Sequence, residues 1–161
     1  MKTRVRSAAF LAFVSILGTQ PAHAQDGGNL TSKIEVERLT PAADGRPPSK
    51  SYAAPETVVP GDRIRITLNF TNAGQAPAAG VNLVNPIPPA LVFEGTDDVQ
   101  DFAVSVDGGK VFGPLAQLTV PVAGAAPRAA AAADVTHVRW KWADAVAPGQ
   151  TRSVAFFGKV K

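Results

Sequence analysis

Hydrophobic and polar residues alternate along several short stretches of the chain. In the clearest stretch, residues 63–70, isoleucine, leucine and phenylalanine occupy the even positions, while arginine, threonine and asparagine occupy the odd ones. Strict alternation predicts a β-strand with one buried face. The turn-forming residues Pro60-Gly61 precede this stretch and Asn72-Ala73-Gly74 follows it, which sets the expected limits of the strand.

Weaker versions of the same pattern predict further strands, located around Ile34 and Val36 and over residues 80–85, 102–106, 115–120, 138–142 and 153–160. The alanine-rich residues 122–133 predict a mobile loop or a single helical turn, because Gly124 and Pro127 disfavour a long helix. The chain is therefore predicted to be all-β, with an antiparallel β-sandwich of about seven or eight strands.

One predicted turn has a specific backbone requirement. Asp107-Gly108-Gly109 separates the strand at residues 102–106 from the apolar Lys110-Val111-Phe112. An Asp-Gly pair between two apolar stretches favours a tight β-hairpin in which a glycine adopts positive φ.

Both tryptophans lie in the strand predicted at residues 138–142. Alternation places Val138, Trp140 and Trp142 on one face, opposite a polar face formed by His137, Arg139 and Lys141. A sandwich needs large apolar groups between its sheets, so Trp140 is predicted to lie in the core. Trp142 is nearer the strand end and is expected to be only partly covered.

The first 24 residues have the three parts of a secretory signal peptide. Lys2, Arg4 and Arg6 precede the helical, apolar residues 8–17, and the small-residue triplet Ala22-His23-Ala24 follows. The apolar part is shorter than the roughly 20 residues of a membrane-spanning helix. Cleavage is expected between Ala24 and Gln25, which leaves residues 25–161 as a single exported domain in the periplasm or at the cell surface.

Removal of this segment changes the charge of the chain. There are 16 Lys and Arg against 13 Asp and Glu, and three of the 16 lie in residues 1–24. Residues 25–161 are formally neutral, so no nucleic-acid partner is expected. They contain no cysteine and no second long apolar stretch, which excludes disulfides and predicts no membrane span after cleavage.

Residues 25–161 contain no recognisable catalytic motif. Their one histidine, His137, lies on the polar face of a predicted strand, and a Ser-His-Asp site would need one of the five serines beside it. None of these serines has a nucleophile-elbow context; they are Ser32, Ser49, Ser51, Ser105 and Ser153. The domain is predicted not to be an enzyme, with no catalytic, cofactor-binding or metal-binding residue assigned and no cofactor.

One group of acidic residues raises a metal hypothesis: Glu94, Asp97, Asp98 and Asp101. Calcium takes several oxygen ligands from carboxylates and loop carbonyls, which a loop of this composition could supply. The spacing matches no EF-hand loop, and solvated loop acids are the simpler interpretation.

The order of turn motifs resembles the bacterial domain of unknown function 11 family over about residues 58–160. The motifs are Val59-Pro60-Gly61-Asp62, Asn72-Ala73-Gly74, Asn85-Pro86-Ile87-Pro88, Ser105-Val106-Asp107-Gly108-Gly109, Val138-Arg139-Trp140 and Pro148-Gly149-Gln150. The resemblance implies an immunoglobulin-like sandwich with structural or adhesive roles in exported or surface proteins. It implies no active site. Many members have aspartate where this chain has Asn85, and many occur in tandem.

These observations predict an exported, non-enzymatic structural or interaction module. Its expected contact surfaces are strand edges and the loops around residues 41–55 and 124–134, and its oligomeric state is left open. The alternative is a secreted carbohydrate-binding module or small hydrolase, which would expose its tryptophan pair beside acidic groups.

The signal peptide leads to the first testable prediction. Protein recovered from a periplasmic or culture fraction should begin at Gln25, because Ala22 and Ala24 fit the small side-chain pockets of signal peptidase. Intact-mass spectrometry measures this directly. Exported protein that retains residues 1–24 would contradict the prediction.

Overall fold

A computed structural model describes residues 27–42 and 47–161 of the chain. The described part is all-β and contains two single 3-10 turns, Leu115–Gln117 and Ala132–Asp134, but no α-helix. Its ten strands are β1 (Gly28–Thr40), β2 (Ser49–Ala53), β3 (Arg63–Asn72), β4 (Asn82–Pro86), β5 (Leu91–Gly95), β6 (Phe102–Ser105), β7 (Thr119–Val122), β8 (Ala125–Ala129), β9 (His137–Lys141) and β10 (Thr151–Val160).

The strands form two antiparallel sheets and a hairpin. The larger sheet has the order β2-β1-β3-β10-β5, the smaller sheet has the order β4-β9-β6, and β7 pairs with β8. From β3 to β6, successive strands alternate between the two sheets. The chain must therefore cross repeatedly from one layer to the other, as in a β-sandwich.

The alternation in β3 determines which side of the larger sheet is buried. Along Arg63–Asn72 every second residue is buried, beginning with Ile64. The pairing Ile66↔Ile34 on one side and Ile66↔Phe156 on the other aligns apolar residues of β1, β3 and β10 on the inner face. The predicted strand at 63–70 is confirmed.

The two sheets share one core that is rich in aromatic residues. Phe93 of β5 stacks on Phe102 of β6 with ring centres 6.0 Å apart, and Trp140 of β9 lies 6.4 Å from Phe156 of β10. Near the other side of the sandwich, Phe70 of β3 meets Trp142 edge-on at 6.1 Å. These contacts place β6 against β5 and β9 against β10, with the residue that follows β9 against β3. The order β4-β9-β6 then puts β4 on the β3 side of the sandwich.

Both tryptophans belong to this core. Trp140 is 0% exposed and Trp142 is 1% exposed, so the prediction for Trp140 is confirmed. The expectation that Trp142 would be only partly covered is wrong. Trp142 lies just beyond β9, but its backbone N–H still donates to the carbonyl of Val81, 3.0 Å away. This bond continues the pairing of the smaller sheet by one residue, which keeps the Trp142 side chain on the buried face.

Three of the ten strands, β2, β5 and β8, gave no usable pattern in the sequence. β2 is an edge strand with four exposed residues and one half-buried residue, so it lacks the alternation that burial imposes. β5 has only five residues, between a proline-rich turn and an acidic stretch. The described residues consequently contain more strands than the seven or eight expected.

The predictions for residues 115–133 are only partly right. The expected strand at 115–120 begins as the 3-10 turn Leu115–Gln117, and β7 covers only Thr119–Val122. The alanine-rich stretch is not a loop throughout, because Ala125–Ala129 forms β8 and Ala132–Asp134 forms the single helical turn. All five residues of β8 are exposed, so no hydrophobic period marks this strand.

The Asp107 turn has the predicted glycine conformation but not the predicted width. Gly108 and Gly109 have φ of +79° and +85°, whereas pairing with Val104 resumes only at Gly113. Residues 110–112 are therefore not a strand. The Asp107 carboxylate stabilises the wider turn by accepting hydrogen bonds from the Ser105 hydroxyl and from the N–H groups of Lys110 and Val111.

The predicted signal peptide, residues 1–24, and its cleavage site lie outside the described residues. The same holds for residues 43–46, which fall within the predicted contact loop 41–55. Part of that loop, Ser49–Ala53, is strand β2.

The core position of Trp140 leads to a stability prediction. Trp140→Ala should lower the free energy of unfolding by roughly 3–5 kcal/mol, through lost burial and a residual cavity. Urea denaturation followed by circular dichroism measures the change. Val99→Ala is the control, because Val99 is 74% exposed and its truncation should have little effect. A loss below about 1 kcal/mol for Trp140→Ala would contradict the core assignment.

Candidate functional site

The tryptophans do not form an exposed binding platform. The indole N–H of Trp140 donates to the carbonyl of Asp98 at 2.8 Å, and the Trp142 ring lies between Phe70 and the guanidinium of Arg152, which is 4.3 Å from the ring centre. Trp142 Nε1 has no hydrogen-bond partner within the described residues. With both rings covered, neither face is free to stack on a sugar.

Two of the acidic residues considered for calcium binding have separate protein partners. Glu94 accepts a hydrogen bond from Arg63 Nε at 3.0 Å. The carboxylate of Asp98 accepts from the N–H of Ala155 at 2.7 Å, and Asp101 adopts a left-handed backbone with φ of 60°. In residues 27–42 and 47–161, no three His, Cys, Asp or Glu side chains form a possible metal-binding group. The structure thus does not bring Glu94, Asp97, Asp98 and Asp101 together as a ligand set.

His137 lies directly opposite Ser105 in the β6–β9 ladder. Their side chains nevertheless have different partners: the Ser105 hydroxyl donates to Asp107 at 2.7 Å, and His137 Nδ1 is 3.1 Å from the Thr136 hydroxyl. A Ser-His-Asp site needs a hydrogen bond from the serine to the histidine. The pairing seen here instead fixes the Asp107 turn to the end of β9.

The outer face of the larger sheet carries charges that are paired with one another. Glu35 of β1 accepts hydrogen bonds from two nitrogens of Arg65 and forms an ion pair with Lys33 at 2.8 Å. These bonds, with that from Lys33 the largest effect, hold the pKa of Glu35 below its usual value. The Arg65 guanidinium also stacks on Tyr52, 3.7 Å from the ring centre.

A second group on this face is arranged in the same way. Arg63 bridges Glu37 at 2.7 Å and Glu94 at 3.0 Å, and it stacks 3.9 Å above the ring of Phe157. Burial raises the pKa of Glu37, but the hydrogen bonds from Arg63 and Lys50 outweigh burial and lower the pKa overall. Both glutamates therefore remain ionised at neutral pH and are compensated by cations on their own and neighbouring strands.

The outer face of the smaller sheet has the opposite character. His137, Arg139 and Lys141 project from β9, and the sequences of β4, β6 and β9 contain no acidic residue. Arg139 lies 4.3 Å from the Phe112 ring centre, and its Nε is buried without a hydrogen-bond partner among the described residues. This face is therefore basic and uncompensated by its own strands.

One apolar part of the larger sheet's inner face is left uncovered by residues 27–42 and 47–161. Leu30 and Ile34 of β1 pair with Phe70 and Ile66 and share their face, yet they are 49% and 48% exposed. The smaller sheet has three strands against five, and its β4 side reaches only as far as β3. Leu30 and Ile34, together with the intervening Ser32, form what we call the open face of β1.

The strand next to this open face has a free edge. Trp142 donates its N–H to Val81, and Ile87 donates its N–H to Thr136. Hydrogen-bonded and non-hydrogen-bonded pairs alternate along an antiparallel ladder, so the odd-numbered residues of β4 bond to β9 and the even-numbered residues do not. By this alternation Asn82 and Val84 direct their N–H and C=O groups away from β9. Within the described part of the chain, the backbone of these two residues has no partner on that side.

The β7–β8 hairpin occupies most of the predicted contact loop 124–134. Arg128 holds it to the 3-10 turn through two hydrogen bonds of 2.7 Å to the Asp134 carboxylate, which also accepts from the N–H of Ala131. These bonds, chiefly that from Arg128, lower the pKa of Asp134 to about 2. The hairpin is an ordered surface feature and not a free loop.

Sequence reasoning named strand edges as contact surfaces but could not identify which edge is free. It also missed that Leu30 and Ile34 are exposed, because alternation predicts that Ile34 faces the core in the same way as Ile66. The mismatch between the two sheets is visible only when the pairing is known.

Comparisons with protein-family models, with curated proteins and with solved structures find no match to this chain. No helix in the described part of the chain is long and apolar enough to cross a membrane.

The Arg128–Asp134 pair leads to a prediction about pH. Because the pKa of Asp134 is depressed on folding, the pair stabilises the hairpin above about pH 4. This stabilisation should be lost as the pH falls towards about 2. In an NMR titration of the Asp134 carboxyl carbon, Arg128→Met should raise the midpoint towards the usual aspartate value, while Arg38→Met should leave it unchanged. A wild-type midpoint near 4 would contradict the pairing.

Proposed function

We propose that this protein is an exported, non-enzymatic interaction module of the periplasm or cell surface, with an immunoglobulin-like fold similar to the bacterial domain of unknown function 11 family. Export is supported by the signal-peptide pattern of residues 1–24. The interaction role is supported above all by the open face of β1, where two large apolar side chains are half exposed beside a free strand edge.

Several structural features support the immunoglobulin-like assignment. Two antiparallel sheets enclose one core, and successive strands cross between them. Trp140 fills the centre of the sandwich, as a buried tryptophan does in related folds. The turn at residues 147–150 has the expected form, with Gln150 N–H donating to Ala147 and Gly149 at φ +73°.

An interaction role gives a reason for the exposed apolar side chains of the open face, whereas a domain without a partner gives none. Apolar side chains exposed next to one another on a soluble protein commonly mark a contact site, and unpaired strand edges are surfaces on which another chain can pair. The paired charges on the opposite, outer face of the larger sheet leave no comparable surface there.

The carbohydrate-binding alternative has less support. Its strongest location is the shallow cleft formed by Asp97, Asp98, Trp142 and Arg152. Trp142 is almost fully buried there, and Arg152 and Phe70 cover its ring. A sugar would have to displace Arg152 to stack on the indole.

In-cell photo-crosslinking tests the interaction role. The full chain, including residues 1–24, is produced in its own cells with a photoreactive phenylalanine at Ile34, Val99 or Val122, all of which are exposed. We expect at least one position to give an adduct to another protein in the exported fraction after irradiation. Unirradiated cells are the control. Absence of a protein adduct at all three positions, with retention of purified protein on polysaccharide resins, would support the carbohydrate alternative.

A further inference from the structure

The open face of β1 and the free edge of β4 form two sides of one groove. The aromatic contacts place β6 over β5 and β9 over β10, and the order of the smaller sheet then brings β4 towards β3. Neighbouring strands lie about 4.8 Å apart and packed sheets about 10 Å apart. One more strand beside β4 would therefore lie directly over β1, at the separation of two packed sheets.

A strand in this position would satisfy both surfaces. Its backbone would pair with the N–H and C=O groups of Asn82 and Val84, and every second side chain would point at Leu30 and Ile34. The carbonyl of Pro86 already accepts from the Asn85 side chain at 2.7 Å, and proline has no N–H. Pairing is thereby limited to the segment of β4 before Pro86.

The other outer edges of the two sheets are less available. Among the described strands, residues 28–35 of β1 also lack a partner on the side away from β3, because β2 pairs only with residues 36–40, but this segment carries the charged Lys33 and Glu35. Gly113 forms two hydrogen bonds with Val104 and occupies the outer edge of β6. β2 carries Lys50 and follows Pro47-Pro48, and β5 carries Glu94 after Pro88-Pro89; charges and prolines are features that protect edges. The free part of β4, Asn82–Val84, has neither.

The charge of the smaller sheet indicates what the partner carries on its outward side. Lys141 of β9 is exposed and lies directly opposite Asn82, and Arg139 lies directly opposite Val84. An added strand would place its outward side chains beside Asn82 and Val84, one strand away from these cations. Acidic groups at those positions complement the basic face, whereas lysines would be repelled by it.

We propose that the β4 edge and the open face of β1 bind an extended segment of a partner protein, with apolar residues facing Leu30 and Ile34 and acidic residues facing outward. This inference rests on the proposed interaction role and gives it a site and a partner chemistry. The bound segment would extend the smaller sheet to four strands and cover the open face.

A peptide assay tests the partner chemistry. The probe is a fluorescein-labelled peptide of ten residues that alternates valine and glutamate, and binding is measured by fluorescence anisotropy with the purified protein. We expect saturable binding that weakens at least tenfold for Ile34→Glu, which places a charged carboxylate against the valine side chains of the peptide. Val99→Ala should not change the affinity, since Val99 is exposed elsewhere.

Two further probes separate backbone pairing from charge. Val84→Pro removes an N–H that faces the free edge and should also weaken binding at least tenfold, and its melting curve shows whether the domain stays folded. If that variant unfolds, Ile34→Glu carries the test alone. A peptide that alternates valine and lysine should bind at least tenfold more weakly. Lack of binding by the wild type, or equal affinity for both peptides, would overturn the proposal.

The photo-crosslinking experiment distinguishes failure of this site from failure of the interaction role. An adduct at Ile34 that disappears in Ile34-labelled Val84→Pro protein supports the groove. Adducts only at Val99 or Val122 overturn the groove while the interaction role stands. An adduct of twice the chain's own mass identifies a second copy of this chain as the partner. That result would overturn the proposal that the partner is a different protein.

Discussion

The burial of Trp140 between the two sheets is the interaction on which most of this structure depends. Its ring contacts Phe102 in its own sheet and Phe156 in the opposite sheet. An indole N–H buried without a partner would cost free energy, and the carbonyl of Asp98 supplies that partner. The Asp98 carboxylate also accepts a hydrogen bond from the N–H of Ala155 in β10. The packing of one side chain thus also positions the loop at residues 96–101.

That loop shows why the acidic cluster is structural. The pairing of β5 with β10 ends at Gly95. Among the described strands, Ala155 therefore has no partner on its β5 side, although it still pairs with β3 on the other side. The Thr96 hydroxyl donates to the Ala155 carbonyl at 2.6 Å, and the Asp98 carboxylate accepts the Ala155 N–H. Two side chains thereby replace a pair of ladder hydrogen bonds. The Asp98 carboxylate therefore takes part in the backbone hydrogen bonding of β10.

The outer faces of the two sheets differ in how their charged side chains are paired. On the larger sheet, the side chains of Glu35 and Glu37 are only 6% exposed, and carboxylates so poorly solvated require cationic partners. Arg65 and Arg63 supply them from the neighbouring strand. On the smaller sheet, Arg139 forms no ion pair among the described residues and stacks on Phe112 instead.

The sequence by itself determined the elements whose signal is local. Alternation located β3 and β9, placed Trp140 inside, and required glycine near Asp107, because side-chain direction in a strand repeats every two residues and positive φ favours glycine. Tertiary structure alone decided the rest. It paired the exposed β2 and β8, extended burial to Trp142 and separated the acidic residues. Ile34 and Ile66 obey the same alternation and face the same way, yet only Ile66 is buried, because coverage depends on how far the opposing sheet extends.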